Sequence, residues 1–217
     1  MKSSSRNVKT AGLILLASLA SSTLSGCFPL AAGGMAAGTI IATDRRTTGA
    51  QTEDKAIELK SENRIHQQFG DKVHVNINSY NRKVLVTGEV PSPEAKSTIE
   101  QLIASVENVN GITNELEIAD GSSIKSRTSD TVITGKVKAA LIDSKDIFAS
   151  AYKITTERGV VYLQGRVTRR EGDRAAEEAR TVGGVLKVVK VFEYITEDEL
   201  QNIVRVKPAE DTKPGVR

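Results

Sequence analysis

A single cysteine, Cys27, excludes any internal disulfide, so the fold must rest on packing alone. Tryptophan is absent and aromatic residues make up only 4%, which removes the stacking platforms that single-stranded nucleic acid needs. Only two histidines occur, His66 and His74, with no cysteine or carboxylate at metal-ligand spacing around them. No nucleophile sits in a hydrolase-like context, and the "VGG" at 182–184 is a helix stop with no Lys-Ser/Thr after it. No catalysis, metal or nucleic-acid partner is therefore expected. A run of about 20 apolar residues, the length a spanning helix requires, is also missing.

The amino-terminal end lacks one sign of charge. Residues 1–26 carry Lys2, Arg6 and Lys9 and no acid, followed by "AGLILLASLASSTLSG". A basic start, a short apolar core and a small-residue exit read as a secretory signal. The "LSGC" at 24–27 resembles the lipobox of bacterial lipoproteins. That resemblance implies cleavage before Cys27, a diacylglyceryl group on its thiol and an acyl group on the new amino terminus. Each buried methylene supplies about 0.8 kcal/mol, and more than one chain makes anchoring stable. Phe28 stands where inner-membrane lipoproteins carry Asp, so the resemblance implies the outer membrane, facing the periplasm. No other cofactor is expected. Cleavage removes three of the 30 basic residues and none of the 27 acidic ones, which leaves the mature chain neutral. A global cationic field is thus excluded, and any attraction to anions must be local.

What is present is a repeat. Residues 27–50 read as a lipidated tether. From there, "VHVNINSYNRKVLVTGEV" (73–90) matches "SAYKITTERGVVYLQGRV" (150–167) at an offset of 77, with Gly88 on Gly165. Flanking apolar positions repeat at an offset of 76: Ile57 and Ile65 on Ile133 and Leu141, Val106 and Val109 on Val182 and Val185. Two copies of one unit follow, at 51–119 and 130–196, joined by a linker at 120–129. Each copy reads as helix (53–69; 130–143), two alternating strands about a polar turn, helix (93–105; 168–181) and a last strand. Asp130 is placed to cap the helix it opens. The order αββαβ predicts an α+β fold, with a three-stranded mixed sheet and two helices on one face. Gly88 and Gly165 are expected at a bulge or a close helix approach. After Ile195 a short helix is followed by a tail; 197–217 is expected to be largely disordered.

Strand ends "VLVTGEV" and "VYLQGRV" in an αββαβ unit resemble the BON domain family. Two such units behind a lipobox, with "DRRTTGAQ" between, are similar to the dual-BON outer-membrane lipoproteins associated with division and envelope integrity. The resemblance implies no enzymatic activity and binding of anionic phospholipid by the second domain. On an ideal helix over 130–143, Ile133, Val137, Ala140 and Leu141 form the inward stripe. Val132 and Ile142 then point outward, with Gly135, Lys136 and Ala139 between them and Lys138 alongside. Apolar tips beside ammonium groups suit an interfacial helix, each lysine adding about 1 kcal/mol near an anionic surface. Phe148 is a third candidate tip. Family members carry tryptophan where this chain has Val132. The corresponding stretch of the first unit, "KSENRIHQQF", lacks such tips. Two alternatives stay open: a phosphate patch at Arg166, Arg169 and Arg170, and a module that binds envelope or division-site proteins with lipid entering only through the anchor.

Overall fold

The computed structural model describes residues 44–206 except 120, 122 and 146. The signal segment, Cys27, most of the tether and the tail beyond 206 lie outside the described residues. The elements are α1 (Thr48–Phe69), β1 (His74–Tyr80), β2 (Lys83–Val90), α2 (Pro93–Ala104), β3 (Gly111–Ile118), α3 (Ile124–Asp143), β4 (Tyr152–Glu157), β5 (Val160–Val167), α4 (Arg169–Thr181), β6 (Lys187–Tyr194) and α5 (Glu197–Val206). β1 pairs antiparallel with β2, and β2 pairs parallel with β3; β4, β5 and β6 repeat that order. The expected pair of mixed three-stranded sheets is present.

Each helix pair covers one face of its sheet. Ile57 and Ile65 of α1 join Ala95, Ile99 and Ile103 of α2 over Ile77, Val84, Val86 and Val90. Ile133, Val137 and Leu141 of α3 join Ala175, Ala176 and Ala179 of α4 over Val161, Leu163 and Val167. Of the inward stripe predicted for α3, Ile133, Val137 and Leu141 are buried and Ala140 is half-buried.

The central strands are buried on both faces. Side chains alternate along a strand, so Leu85, Thr87 and Glu89 point away from the helices, yet all three are almost wholly buried. Tyr162 and Gln164 do the same in β5. The two helix-free faces pack on each other. Gln164 Nε2 donates to the Asn78 carbonyl at 3.2 Å, and Tyr80 Oη donates to the Ala151 carbonyl at 3.3 Å. Lys153 reaches Glu58, and Asn81 Nδ2 donates to Glu193 at 2.8 Å. Four layers result, helices outside and sheets inside.

The hairpin turns explain one misplaced expectation. Asn81 and Arg82 have φ of 50° and 64°; Arg158 and Gly159 have 51° and 77°. Two successive positive φ values make type I′ turns, which match the strand twist. Asp54 accepts the N–H groups of Asn81 and Arg82 at 2.8 and 2.7 Å. Asp130 accepts those of Arg158 and Gly159 at 2.9 and 2.8 Å. Asp130 is therefore a buried mid-helix residue and not a cap. The cap is Ser123, whose hydroxyl accepts from Ser126 N–H. α3 accordingly starts at Ile124, and most of the stretch read as a linker is its first turns. α1 likewise begins at Thr48, behind Thr47, whose hydroxyl accepts from Ala50 N–H at 3.1 Å.

Gly88 sits at φ 121°, and a Cβ there would lie 2.0 Å from the His74 carbonyl. At Gly165 a Cβ would lie 2.5 Å from the Ala151 carbonyl. The close approach comes from the backbone of the adjacent segment, at the first residue of β1 and at the 3-10 turn (Ala149–Ala151) just before β4, and not from the packed α-helices.

Candidate membrane-contact face

α3 crosses the sheet with one side in the core and the other in solvent. All six predicted contact residues, Val132, Gly135, Lys136, Lys138, Ala139 and Ile142, are exposed. They span an arc of about 160° at 100° per residue and about 15 Å of helix length. Val132 is 52% and Ile142 62% exposed, so neither packs on the first unit. Phe148, beyond the end of α3, is 44% exposed. Among the described residues, neither lysine makes an ion pair, so both charges are available to an outside partner. A Cβ added at Gly135 would meet nothing within 4 Å. Glycine mid-helix costs roughly 1 kcal/mol against alanine, and internal packing does not require it there. Its effect is a flat place between apolar tips.

The same face of α1 is different. At the offset of 76, the residues matching Val132, Gly135, Lys136, Lys138, Ala139 and Ile142 are Ala56, Leu59, Lys60, Glu62, Asn63 and His66. Leu59 is exposed, a single tip just outside the polar stretch noted in the sequence. Glu62 replaces a lysine, which removes the local positive field.

The arginine patch is not assembled as an anion site. Arg166 Nε lies 2.9 Å from Glu193 Oε1. Arg169 stacks over the Tyr194 ring at 4.8 Å, and Arg170 is 3.8 Å from Glu197. Along α4, Arg174 pairs with Glu178 and Arg180 with Glu177, as expected for a solvated helix. The two histidines do not meet as a pair: His66 is exposed on α1, and His74 Nδ1 lies 2.8 Å from Glu89 Oε2.

Sequence reasoning missed a clasp just before α1. Arg45 is buried, and its guanidinium grips Glu171 with two parallel hydrogen bonds of 2.8 and 2.7 Å. Its Nη1 also donates to the Arg166 carbonyl at 2.9 Å. Glu171 completes the capping box of α4 by accepting Thr168 N–H at 3.0 Å. Burial raises the Glu171 carboxyl, but Arg45 and the Thr168 N–H outweigh it and hold it below its ordinary value. Arg46 turns the other way, to Asp44 and Asp54, and lies over the Tyr80 ring at 4.2 Å. Burial opposes the Arg46 charge, yet the two carboxylates raise its pKa above the ordinary arginine value. The end of the tether thus grips both units at once. A buried ion pair needs both members, and "DRR" offered only the cationic half.

Residues 53–120 and 129–196 each match the BON domain family. The chain belongs to the BON domain family. The chain is similar to the outer membrane lipoprotein DolP of Haemophilus influenzae, at 38% identity over 174 residues, 79% of this chain and 90% of that protein. The 21 kDa hemolysin of Actinobacillus pleuropneumoniae shares 32% over 154 residues, 70% of this chain and 79% of its own. Osmotically-inducible protein Y of Escherichia coli shares 26% over 156 residues, 70% of this chain and 78% of its own. The α3 face and Glu171 lie in the second BON domain, while Arg45 comes from the segment before the first. Among the described residues no helix is long and apolar enough to cross a membrane.

Proposed function

We propose that this protein is an outer-membrane lipoprotein, anchored through acylated Cys27 and facing the periplasm, whose second BON domain binds anionic phospholipid and supports envelope integrity. The observation that carries the reading is the outer face of α3. Two branched apolar side chains stand in solvent beside two lysines that make no ion pair among the described residues and a glycine that packing does not require. Apolar tips enter the acyl boundary while ammonium groups meet phosphates. The anchor keeps the face near headgroups, so weak intrinsic affinity suffices. The "LSGC" at 24–27 and the likeness to an outer membrane lipoprotein support the location.

A titration tests both ligand class and site. Anionic phosphatidylglycerol micelles added to the protein should shift the amide signals of residues 132–142. Shifts confined to the first domain, or absent altogether, would favour a protein partner for the BON pair.

A further inference from the structure

Away from the α3 face, three ligating groups converge where the two sheets meet. His74 opens β1, and Glu89 is its cross-strand partner in β2. Glu157 ends β4 in the other domain. His74 Nδ1 is 2.8 Å from Glu89 Oε2 and 4.0 Å from Glu157 Oε1. One donor atom from each residue lies within 4.8 Å of the other two. Glu89 is 1% exposed and Glu157 7%, while the His74 side chain keeps 19%. A groove of about 410 Å³, lined by His74, Asn76, Arg127, Asp130, Thr134 and Glu157 among others, opens beside them.

We propose that His74, Glu89 and Glu157 form a divalent-cation site of the zinc class that bridges the two BON domains. One imidazole and two carboxylates are a three-ligand set of the kind that leaves a coordination position for water, which the groove supplies. An imidazole favours zinc over magnesium and calcium, which take oxygen ligands. Donors arranged tetrahedrally at zinc bond lengths lie about 3.4 Å apart. The observed 2.8 and 4.0 Å bracket that spacing. Glu89, Glu157 and Asp130 also concentrate negative charge at the seam. Arg158 Nη1, 3.7 Å from Glu89 Oε1, competes for it, but Arg158 also reaches Glu117 at 3.5 Å and has that acceptor to retain. The site is independent of the lipid reading. It would pin two strands of the first sheet to the edge strand of the second.

Isothermal titration of the full chain in neutral detergent, stripped of metal, with zinc chloride tests this. The expected result is saturable one-to-one binding and a rise in Tm. His74→Gln and Glu157→Gln should each weaken binding at least tenfold, and His66→Gln should leave it unchanged. Glu157→Gln keeps an oxygen for the Asn76 amide, which donates to Glu157 at 2.7 Å. If His74→Gln fails to fold, Glu157→Gln decides alone. No saturable binding, binding unchanged in Glu157→Gln, or binding lost only with His66→Gln would overturn the proposal.

Discussion

The two BON domains share a backbone plan and divide the work through side chains at matched positions. The third residue of the covering helix's first turn is Ala95 in the first domain and Glu171 in the second, 76 apart. The alanine packs in a core; the glutamate caps its helix and receives Arg45. On the outer face of the long helix, Ala56, Glu62 and His66 stand where the second domain has Val132, Lys138 and Ile142. Conversely, Asp54 holds more than Asp130 does. Both bind a hairpin turn, but Asp54 also accepts Ser79 Oγ at 2.7 Å and Arg46 at 2.7 Å. The first domain has the busier internal polar network, while the second carries the outward apolar face. A duplicated fold therefore sets the geometry, and a few substitutions give each copy its own surface.

Removing the hairpin carboxylates breaks this comparison most severely. Asp54→Ala strands three donors and takes from Arg46 one of its two carboxylates, and should cost about 4 kcal/mol, against about 2 kcal/mol for Asp130→Ala, which strands two. Urea unfolding midpoints measure both, and equal losses would remove the asymmetry. Next, Arg45→Ala leaves Glu171 buried without its cation and should cost about 3 kcal/mol. The pH dependence gives the sign. Glu171 has a lowered folded pKa, so its contribution is complete above the ordinary glutamate value of about 4.3 and is lost as pH falls through the folded value. Wild type should thus lose stability on acidification in a step that Arg45→Ala lacks; thermal melts from pH 7 to 3 would show it.

Smaller effects sharpen the functional half. Val132→Glu or Ile142→Glu should weaken binding to phosphatidylglycerol vesicles at least tenfold, about 1.4 kcal/mol, with Tm unchanged because both side chains stand in solvent. Ala56→Glu and His66→Glu on α1 should leave vesicle binding as it was. The smallest change is Gly135→Ala. With open space around it, alanine should stabilise the protein by roughly 0.5–1 kcal/mol. Co-sedimentation with vesicles then tells whether the flat spot matters to lipid.

Much of the fold was legible because period and repeat are local signals. The turn residues and inward stripes lie within a few positions of one another, so pattern alone places them. The six-residue α3 face followed from 100° per residue applied to one stripe. Asp130 was misjudged because an acid ahead of an apolar run looks like a cap until its turn, 28 residues on, is brought to it. The Arg45–Glu171 pair was invisible for the same reason, its halves being 126 residues apart. The sheet-on-sheet seam did leave a trace. Val84, Leu85 and Val86 are consecutive apolar residues, as are Val161, Tyr162 and Leu163, and apolar residues on both faces of a strand mean that both faces are covered.

The clasp also determines how the molecule bears load. A pull arriving along the backbone at residue 44 meets Arg46, tied to the first domain, and Arg45, tied to the second. Force is shared between both halves in shear and does not peel α1 away from its end. Tension entering at residue 44 is therefore carried by two separate cores at once, and neither has to yield alone.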